Sequence, residues 1–315
     1  MNDTVITVTL NPAIDQTITL DELHPGAVHR ARAVRFDAGG KGVNVASCLA
    51  DWGVPVTATG VLGDSNDKAF NKMFAAKAIH DRFSRMSGDT RVNVKLVHGT
   101  GTTDINLPGL LVTPDILAEV SGTILSLAGK GTLAVLAGSV PAGVNVGIYH
   151  ELTAALAGRG ARVVLDSSGE PLKAALDHDP LPYCVKPNRA EFEDWAGRAL
   201  PTIDDLVEAG RSLLLRGVGL VVVSLGEQGA LFISDEGALQ ASLVAISCTS
   251  TVGAGDAMVA GIVAALRDGA TLERIARLAT AFAVAKLGLA GPNLPARAAV
   301  EANAAKVRII NLDHR

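Results

Sequence analysis

Short apolar runs rich in β-branched residues alternate with longer amphipathic stretches along most of the chain. The predicted strands cover residues 4–10, 54–60, 92–97, 133–137, 162–166, 184–186 and 220–224. The predicted helices cover residues 43–51, 68–77, 113–128, 146–158, 190–197, 204–216, 254–267 and 272–287. Strands that alternate with helices form βαβ units, so we predict an α/β fold with a mainly parallel central sheet flanked by helices. In such sheets ligands bind beyond the carboxyl ends of the strands.

Two segments, residues 15–36 and 90–107, interrupt this alternation with strand-like patterns that have no helix between them. In the second segment, polar and apolar side chains fall on opposite faces of a strand. The polar positions are Arg91, Asn93, Lys95, Asp104 and Asn106, and the apolar ones are Val92, Val94, Leu96, Ile105 and Leu107. An ordinary hairpin with one solvated face would show the same pattern. We favour a small β-sheet whose polar face covers a binding site, and predict one domain, residues 1–315, with these segments as its lid.

The composition excludes several classes of function. The 315 residues carry 28 basic and 32 acidic side chains, a net charge of −4, without a basic block, and aromatic residues make up 3%. Nucleic acid is therefore not expected as the main partner. Cys48, Cys184 and Cys248 have no Cys-x-x-Cys spacing, so neither a disulfide framework nor a zinc site is indicated. No signal peptide or membrane-spanning run is visible, and we expect a cytoplasmic protein without membrane association.

The segment from Thr251 to Gly261 places an isolated carboxylate, Asp256, after a glycine-rich turn and at the start of an apolar helical run. Gly253 and Gly255 allow the backbone to approach a ligand closely, and the N–H groups at a helix start favour an anion. An acid in this position suits a base that accepts the proton of a hydroxyl group attacking a phosphate. The alternative is that Asp256 only caps the helix.

A second glycine cluster, residues 38–46, also leads into a helix. It is not a P-loop, because Arg35 stands where the first glycine is needed and Gly42 stands where Ser or Thr is needed. Its polar side chains, Lys41 and Asn44, suit the hydroxyl groups of a polyol or a phosphate. The alternative is a glycine-rich turn with an exposed lysine.

Two further strand-to-turn elements lie at residues 185–191 and 224–230. In the first, Asn188 and Glu191 have the spacing of a capping box. The functional alternative is that Glu191 holds hydrated Mg²⁺, an ion that keeps most of its waters and uses few carboxylates. The second element is either an ordinary tight turn or one side of a nucleotide site.

Together these elements resemble the PfkB branch of the ribokinase-like sugar kinases over nearly the whole chain. The two signatures of that family match residues 39–46 and 251–261, and its intermediate motifs match residues 186–191 and 224–229 in order and spacing. Within the family the chain most resembles the bacterial 1-phosphofructokinase branch, in motifs at residues 9–15, 90–96, 103–106 and 186–198. Kinases of tagatose 6-phosphate and of fructose 6-phosphate share the first of these motifs in part and stay open as alternatives.

The resemblance implies a three-layer ribokinase-like fold and ATP-dependent phosphorylation of fructose 1-phosphate to fructose 1,6-bisphosphate. Asp256 would be the catalytic base, and the amides of Gly253, Ala254 and Gly255 would form an anion hole. The implied substrate-binding residues are Asp15, Gly39, Gly40, Lys41, Asn44, Arg91, Asn93 and Ser139, with Lys41, Arg91 and Asn93 at the phosphate already present. The implied nucleotide-binding residues are Lys186, Asn188, Ser224, Gly226, Gly229, Thr251 and, beside adenine, Asn293. Asp166 and Glu191 would orient Mg²⁺ through water, and K⁺ is a further candidate cofactor.

Two rival functions stay open. A non-catalytic sensor of sugar phosphates needs no proton acceptor, so the intact Asp256 speaks against it. A kinase for an unphosphorylated substrate, such as ribose or a nucleoside, is disfavoured by Arg91, Asn93 and Lys95 facing one way. Relatives in this family commonly pair through their lids, so the resemblance also implies a homodimer in which the apolar lid face is buried.

Overall fold

The chain forms two β-sheets and ten helices within residues 4–99, 101–245 and 251–313, which the computed structural model describes. The strands in chain order are β1 Val5–Thr9, β2 Ala13–Thr19, β3 Ala33–Gly39, β4 Val56–Gly63, β5 His80–Asp81, β6 Ser84–Met86, β7 Val92–His98, β8 Gly101–Asn106, β9 Leu133–Ala137, β10 Arg162–Asp166, β11 Cys184–Val185, β12 Leu220–Ser224, β13 Ala230–Ser234, β14 Gly237–Ser242 and β15 Arg308–Asn311. The helices are α1 Lys41–Asp51, α2 Lys68–Ala76, α3 Pro114–Leu127, α4 Ile148–Ala157, α5 Gly169–Asp177, α6 Arg189–Ala196, α7 Ile203–Leu215, α8 Ala254–Arg267, α9 Leu272–Leu287 and α10 Arg297–Lys306. Every strand and helix predicted from the sequence is present, whereas α5, α10, β5, β6 and β13 to β15 were not predicted.

The larger sheet has the strand order β15-β14-β13-β12-β11-β10-β9-β1-β4-β5, with β6 beside β4. Neighbours are parallel from β5 to β12 and antiparallel from β12 to β15. Successive side chains of β9 enter different hydrophobic clusters: Val135 lies in one, and Ala134 and Leu136 lie in the other. The sheet is therefore buried on both faces, and the predicted α/β sandwich is confirmed.

Helices cover each face of this sheet. One cluster packs against α1, α2, α8, α9 and α10, and the other packs against α3 to α7. The turns that follow β1, β9, β10, β11 and β12 all lie at the carboxyl edge of the parallel strands, because those strands run the same way. This edge brings together Ser139, Asp166 and Lys186, which are far apart in sequence.

The smaller sheet has the order β3-β2-β7-β8, in which β2 and β7 are parallel and the outer pairs are antiparallel. The register places Asp15 beside Asn93 and Lys95 beside Asp104, so these polar residues share one face. The opposite face is apolar, and its most exposed side chains are Val34 (48%), Phe36 (57%), Ile105 (46%) and Leu107 (41%). The two predicted segments therefore form one sheet with a polar and an apolar face, and Val34 and Phe36 of β3 extend the apolar face beyond the residues predicted.

Two features are absent from residues 4–99, 101–245 and 251–313. None of the helices in these ranges combines the length and apolar character that crossing a bilayer requires. The same ranges contain no group of three or more His, Cys, Asp or Glu side chains able to hold a metal ion. Cys48 and Cys184 are buried thiols, and Cys248 lies outside the described residues.

Candidate active site

A cleft of about 520 Å³ lies between the polar face of the smaller sheet and the start of α8. The smaller sheet contributes Asp15, Thr17, Thr19, Arg35, Asp37, Lys95, Val97, Thr102 and Asp104 to the cleft wall. The facing wall consists of Asn44, Thr251, Val252, Gly253, Lys286 and residues 290–292. The polar face therefore covers a cavity of a size suited to a small ligand.

Asp256 lies in the first turn of α8, and its side chain is buried. The N-cap of that helix is Gly253, with a left-handed φ of 80° that a residue bearing a Cβ rarely adopts. Asp256 therefore does not cap the helix, and its Oδ2 accepts a hydrogen bond of 2.7 Å from Asn44 Nδ2 instead. Burial and the nearby Asp166 raise the pKa of the Asp256 carboxyl, although Lys41 and Asn44 oppose the shift. A carboxylate of raised basicity thus lies close to Asn44 and Gly253, which line the cleft.

Asn44 is placed by the turn that opens α1. Gly40 has a φ of 108°, and its carbonyl accepts the backbone N–H of Asn44 at 2.9 Å. While its Nδ2 is bonded to Asp256, its Oδ1 is buried without a hydrogen-bond partner among the described residues. A buried acceptor of this kind needs a donor, and a hydroxyl group of a bound sugar would supply one.

Asp166 joins two lysines at the carboxyl end of β10. Its Oδ1 lies 2.9 Å from Lys41 Nζ and 3.4 Å from Lys186 Nζ, and the carboxylate is fully buried. Burial raises the pKa of Asp166, but Lys186 and Lys41 outweigh that effect and hold it below the ordinary value. A Cβ on Gly255 would lie 3.6 Å from Lys186 Nζ, an ordinary contact distance, so the ammonium group lies beside the α8 turn. Two cations therefore lie beside the predicted anion hole.

Asp15 and Asn93 form the inner part of the substrate side. Asn93 Nδ2 lies 3.4 Å from Asp15 Oδ1, and Asn93 Oδ1 has no hydrogen-bond partner within the described part of the chain. A Cβ on Gly39 would come within 2.9 Å of Asp15 Oδ2, so the backbone of Gly39 packs directly on this carboxylate. Burial raises the pKa of Asp15, whereas Lys95 and Asn93 lower it. These groups can hold hydroxyl groups of a polyol.

Arg91 is half-buried, and its guanidinium donates to three backbone carbonyl oxygens. The distances are 3.0 Å to Asn11 O, 3.2 Å to Pro12 O and 3.4 Å to Leu107 O. Ser139 is linked to the same place, because Asn11 Nδ2 donates to Ser139 Oγ at 3.0 Å. The guanidinium has more N–H groups than these bonds use, so it can also bind an anion.

A second cavity, of about 550 Å³, is lined by Asn188, Ser224 and Gly226 among others, three of the residues predicted to bind the nucleotide. Asn188 and Glu191 form the capping box that their spacing predicts, with distances of 2.8 Å and 2.9 Å. Gly229 does not line this cavity. A Cβ at Gly229 would lie 2.0 Å from Ala241 O, so the residue allows close packing of β13 and β14.

Asn293 and Thr251 lie apart from that cavity. Asn293 Oδ1 accepts a 2.8 Å hydrogen bond from Lys77 Nζ, and Thr251 lines the cleft beneath the smaller sheet. Their assignment to the nucleotide therefore stays a prediction. The structure also places Lys286, which the sequence reasoning missed, in the cleft wall beside Gly253. Lys286 lies on the same face of α9 as the buried residues Ile275, Ala279 and Phe282. A lysine on an otherwise apolar helix face is unusual, and this could have marked Lys286 as a candidate site residue in the sequence.

Comparison with known proteins identifies the family of the chain. Residues 8–299 match the model of the pfkB family of carbohydrate kinases. The chain is 53% identical over 287 residues to 1-phosphofructokinase of Xanthomonas campestris pv. campestris, covering 90% of each chain. It is 37% identical over 308 residues to 1-phosphofructokinase of Escherichia coli strain K12, covering 98% of each. Phosphofructokinase-2 of E. coli, solved with substrates and products, superposes with a TM-score of 0.90 at 30% identity, covering 96% of this chain and 98% of that one.

The family match and the structural match both extend over nearly the whole chain. An ATP-dependent sugar kinase needs a base, a cradle for anions and a covered cleft for a polyol, and the structure has groups suited to each. The chain belongs to the pfkB family of carbohydrate kinases, and it is an ATP-dependent sugar kinase.

Proposed function

We propose that the protein transfers the γ-phosphoryl group of ATP to fructose 1-phosphate, which yields fructose 1,6-bisphosphate and ADP. The observation that carries the proposal is the buried carboxylate of Asp256, of raised pKa, at the start of α8 beside a cleft with cationic side chains. The choice of fructose 1-phosphate is supported by the relatives named 1-phosphofructokinase at 37% to 53% identity.

Asp256 acts as the general base. It accepts the proton of the free primary hydroxyl group of the sugar while that oxygen bonds to the γ-phosphorus. The bond between the γ-phosphorus and the oxygen bridging to the β-phosphate breaks, and its electron pair leaves with ADP. The hydrogen bond from Asn44 fixes the carboxylate, since Asn44 Nδ2 lies 2.7 Å from Asp256 Oδ2. A positioned base contributes typically about 10²- to 10⁴-fold to a rate.

The charge that develops on the transferring group meets the backbone N–H groups at the start of α8 and two lysines. Gly253, Ala254 and Gly255 supply the amides. Lys41 was predicted to bind the phosphate already on the substrate, but its ammonium lies against Asp166 at 2.9 Å. We therefore assign Lys41, with Lys186, to the transferring group, and leave the existing phosphate to Arg91.

Mg²⁺ fits the residues on the nucleotide side. Asp166 Oδ2 is buried without a hydrogen-bond partner among the described residues, and Glu191 lies close enough to raise the pKa of Lys41. Mg²⁺ is usually held by one or two carboxylates, substrate phosphates and several waters, so a cluster of three protein ligands is not required. When bound, the ion would neutralise charge on the β- and γ-phosphates. Asp166 and Glu191 would orient it through water.

The substrate's own phosphate is assigned to Arg91 and Asn93, with Ser139 beside them through Asn11. Asp15, Asn44 and the backbone of Gly39 and Gly40 would hold sugar hydroxyl groups. Tagatose 6-phosphate and fructose 6-phosphate would use the same groups, and the E. coli phosphofructokinase-2 that matches this fold has also been solved with fructose 6-phosphate.

The proposal is tested by an ADP-release assay over a panel of acceptors. Fructose 1-phosphate, fructose 6-phosphate, tagatose 6-phosphate, fructose, ribose and a nucleoside are compared at equal concentration with ATP and Mg²⁺. We expect the highest kcat/KM with fructose 1-phosphate and little turnover of unphosphorylated acceptors. Preference for a 6-phosphate would reject the substrate assignment. Binding of fructose 1-phosphate by calorimetry without ADP release from any acceptor would favour the non-catalytic sensor.

We also propose one kinase domain, with the smaller sheet as its lid, that forms a homodimer by packing two lids together. The exposed apolar side chains Val34, Phe36, Ile105 and Leu107 support this, because a second copy would remove the same surface from water on both sides. One structure of E. coli phosphofructokinase-2 is described as a tetrameric inhibited form, and another as a potassium complex. The proposed reaction places the protein in the cytoplasm, where ATP is regenerated.

A further inference from the structure

Lys286 is a buried cation that the proposed chemistry does not yet use. It lies in the last turn of α9, with only 2% of its surface exposed. Ile275, Ala279 and Phe282, on the same face of the helix, are buried in the hydrophobic core. Taking an ammonium group out of water carries a large free-energy cost, so a lysine on this face indicates a local need for positive charge.

The ammonium group of Lys286 lies between the loop after α9 and the turn that opens α8. Lys286 Nζ donates to Leu289 O at 3.1 Å. The point where a Cβ of Gly253 would stand lies 3.5 Å from Lys286 Cε and 3.9 Å from Asp256 Oδ2. Lys286 also lines the same cleft as Gly253. Lys286 therefore lies beside Gly253 in the anion-hole turn, and the carboxylate of Asp256 approaches the same glycine.

We propose that Lys286 is a positioning residue that supplies a fixed positive charge behind the anion hole formed by residues 253–255. Its charge favours the arrangement in which the amides face the transferring phosphoryl group, and it stabilises the negative charge that develops there. This inference rests on the proposed phosphoryl transfer and adds a residue to the same site.

The competing explanation is that Lys286 only stabilises the loop after α9, through its hydrogen bond to Leu289 O. Lys77 contacts the same loop and provides a matched control. Lys77 Nζ contacts Asn293 Oδ1, Asp51 Oδ2 and Ser47 Oγ at 2.7 to 2.8 Å, so it anchors the same loop from the other side. Lys77 does not line the cleft. Lys77→Met therefore loosens the loop without removing charge behind the anion hole.

The first measurement is steady-state kinetics of Lys286→Met, Lys286→Arg and Lys77→Met. We expect Lys286→Met to lower kcat by about ten- to a hundredfold, because one unit charge acts over several ångström in a partly screened site. The KM for fructose 1-phosphate should change by less than about twofold, since the sugar site keeps its contacts. Lys286→Arg should restore most of the rate, and Lys77→Met should lower the melting temperature but leave kcat near wild type. Equal kcat losses in Lys286→Met and Lys77→Met would overturn the proposal.

One further variant and one binding measurement extend the test. Lys286→Gln keeps a polar head group without the charge and should show the same loss of kcat if Lys286→Met fails to fold, whereas a wild-type kcat in Lys286→Gln would overturn the inference. Binding of Mg²⁺–ADP with aluminium fluoride, a mimic of the transferring group, should weaken about tenfold or more in Lys286→Met, while binding of Mg²⁺–ADP alone is unchanged. This binding test holds whichever sugar is the acceptor. Failure of all sugars in the wild-type assay would therefore reject the proposed function without deciding the role of Lys286.

Discussion

Asp256→Asn should change activity and stability in opposite directions: kcat should fall, and the free energy of unfolding should rise. The substitution keeps the shape of the side chain and an oxygen that can accept the 2.7 Å hydrogen bond from Asn44. It removes the proton acceptor, so kcat should fall by about two to four orders of magnitude. That range corresponds to about 2.7–5.4 kcal/mol of transition-state free energy, at about 1.36 kcal/mol for each factor of ten. Binding of ATP and of the sugar phosphate should survive, because the base acts in the transition state.

The same substitution should raise the free energy of unfolding at neutral pH. Burial raises the pKa of Asp256 in the folded state, so the protonated form is favoured there and ionisation near pH 7 opposes folding. A raised pKa contributes stability below the unfolded value of the group, and this contribution is lost as the pH rises through the folded value. The stability difference between Asp256→Asn and wild type should therefore shrink as the pH is lowered through the raised pKa.

Single-turnover kinetics and urea unfolding at several pH values measure the two effects. The control is Asn44→Asp, which adds a second carboxylate beside Asp256 and should lower stability at neutral pH. The reasoning is refuted if Asp256→Asn keeps kcat within about tenfold of wild type, well below the contribution of a positioned base. A loss of stability in Asp256→Asn at neutral pH would contradict the argument from the raised pKa of Asp256 but would not affect its proposed role as the base.

Three other perturbations follow from the structure. Arg91→Ala should raise the KM for the sugar phosphate about ten- to a hundredfold, because a charge-assisted hydrogen bond is worth about 1.5–3 kcal/mol. Initial-rate kinetics should show a KM for ATP that is nearly unchanged. Asp166→Asn leaves Lys41 and Lys186 without their carboxylate, so the unfolding free energy should fall by about 3–5 kcal/mol in urea titrations at neutral pH. Because the pKa of Asp166 is held low, its stabilisation is present above the ordinary pKa of an aspartate and should be lost as the pH falls through the lowered value. Phe36→Asp should convert the proposed dimer to monomers in light scattering, and a wild-type protein that is already a fully active monomer would reject lid pairing.

The elements with a strong local pattern could be predicted from the sequence. The strands at residues 133–137, 162–166 and 220–224 and the helices at 254–267 and 272–287 have the predicted bounds, because each is a continuous apolar run or a clear amphipathic period. The antiparallel strands β13 to β15 were missed. The turn Asp235-Glu236-Gly237 was a hairpin signal between β13 and β14, but β15 follows α10 and has only four residues.

The candidate site was harder to predict, because its decisive contacts cross long stretches of sequence. Asp166 and Lys41 are 125 residues apart, and Asn44 and Asp256 are 212 residues apart. Each residue could be proposed from its motif, but which cation pairs with which carboxylate depends on the strand order of the central sheet. The motif of Lys41 did not indicate its ion pair with Asp166, and Lys286 was hidden in a helix whose other inward residues are apolar.

The hydrogen bonds of Arg91 have a mechanical consequence for the smaller sheet, the proposed lid. The chain passes between the central body and the smaller sheet four times: before β2, after β3, before β7 and after β8. Arg91 belongs to the third passage, and its guanidinium bonds to Asn11 and Pro12 in the first and to Leu107 in the fourth. Any rotation of the lid must bend or break bonds at this junction. A phosphate that draws the guanidinium toward itself would therefore change the stiffness of the hinge, so occupancy of the sugar site and the opening rate of the lid should be coupled through one side chain.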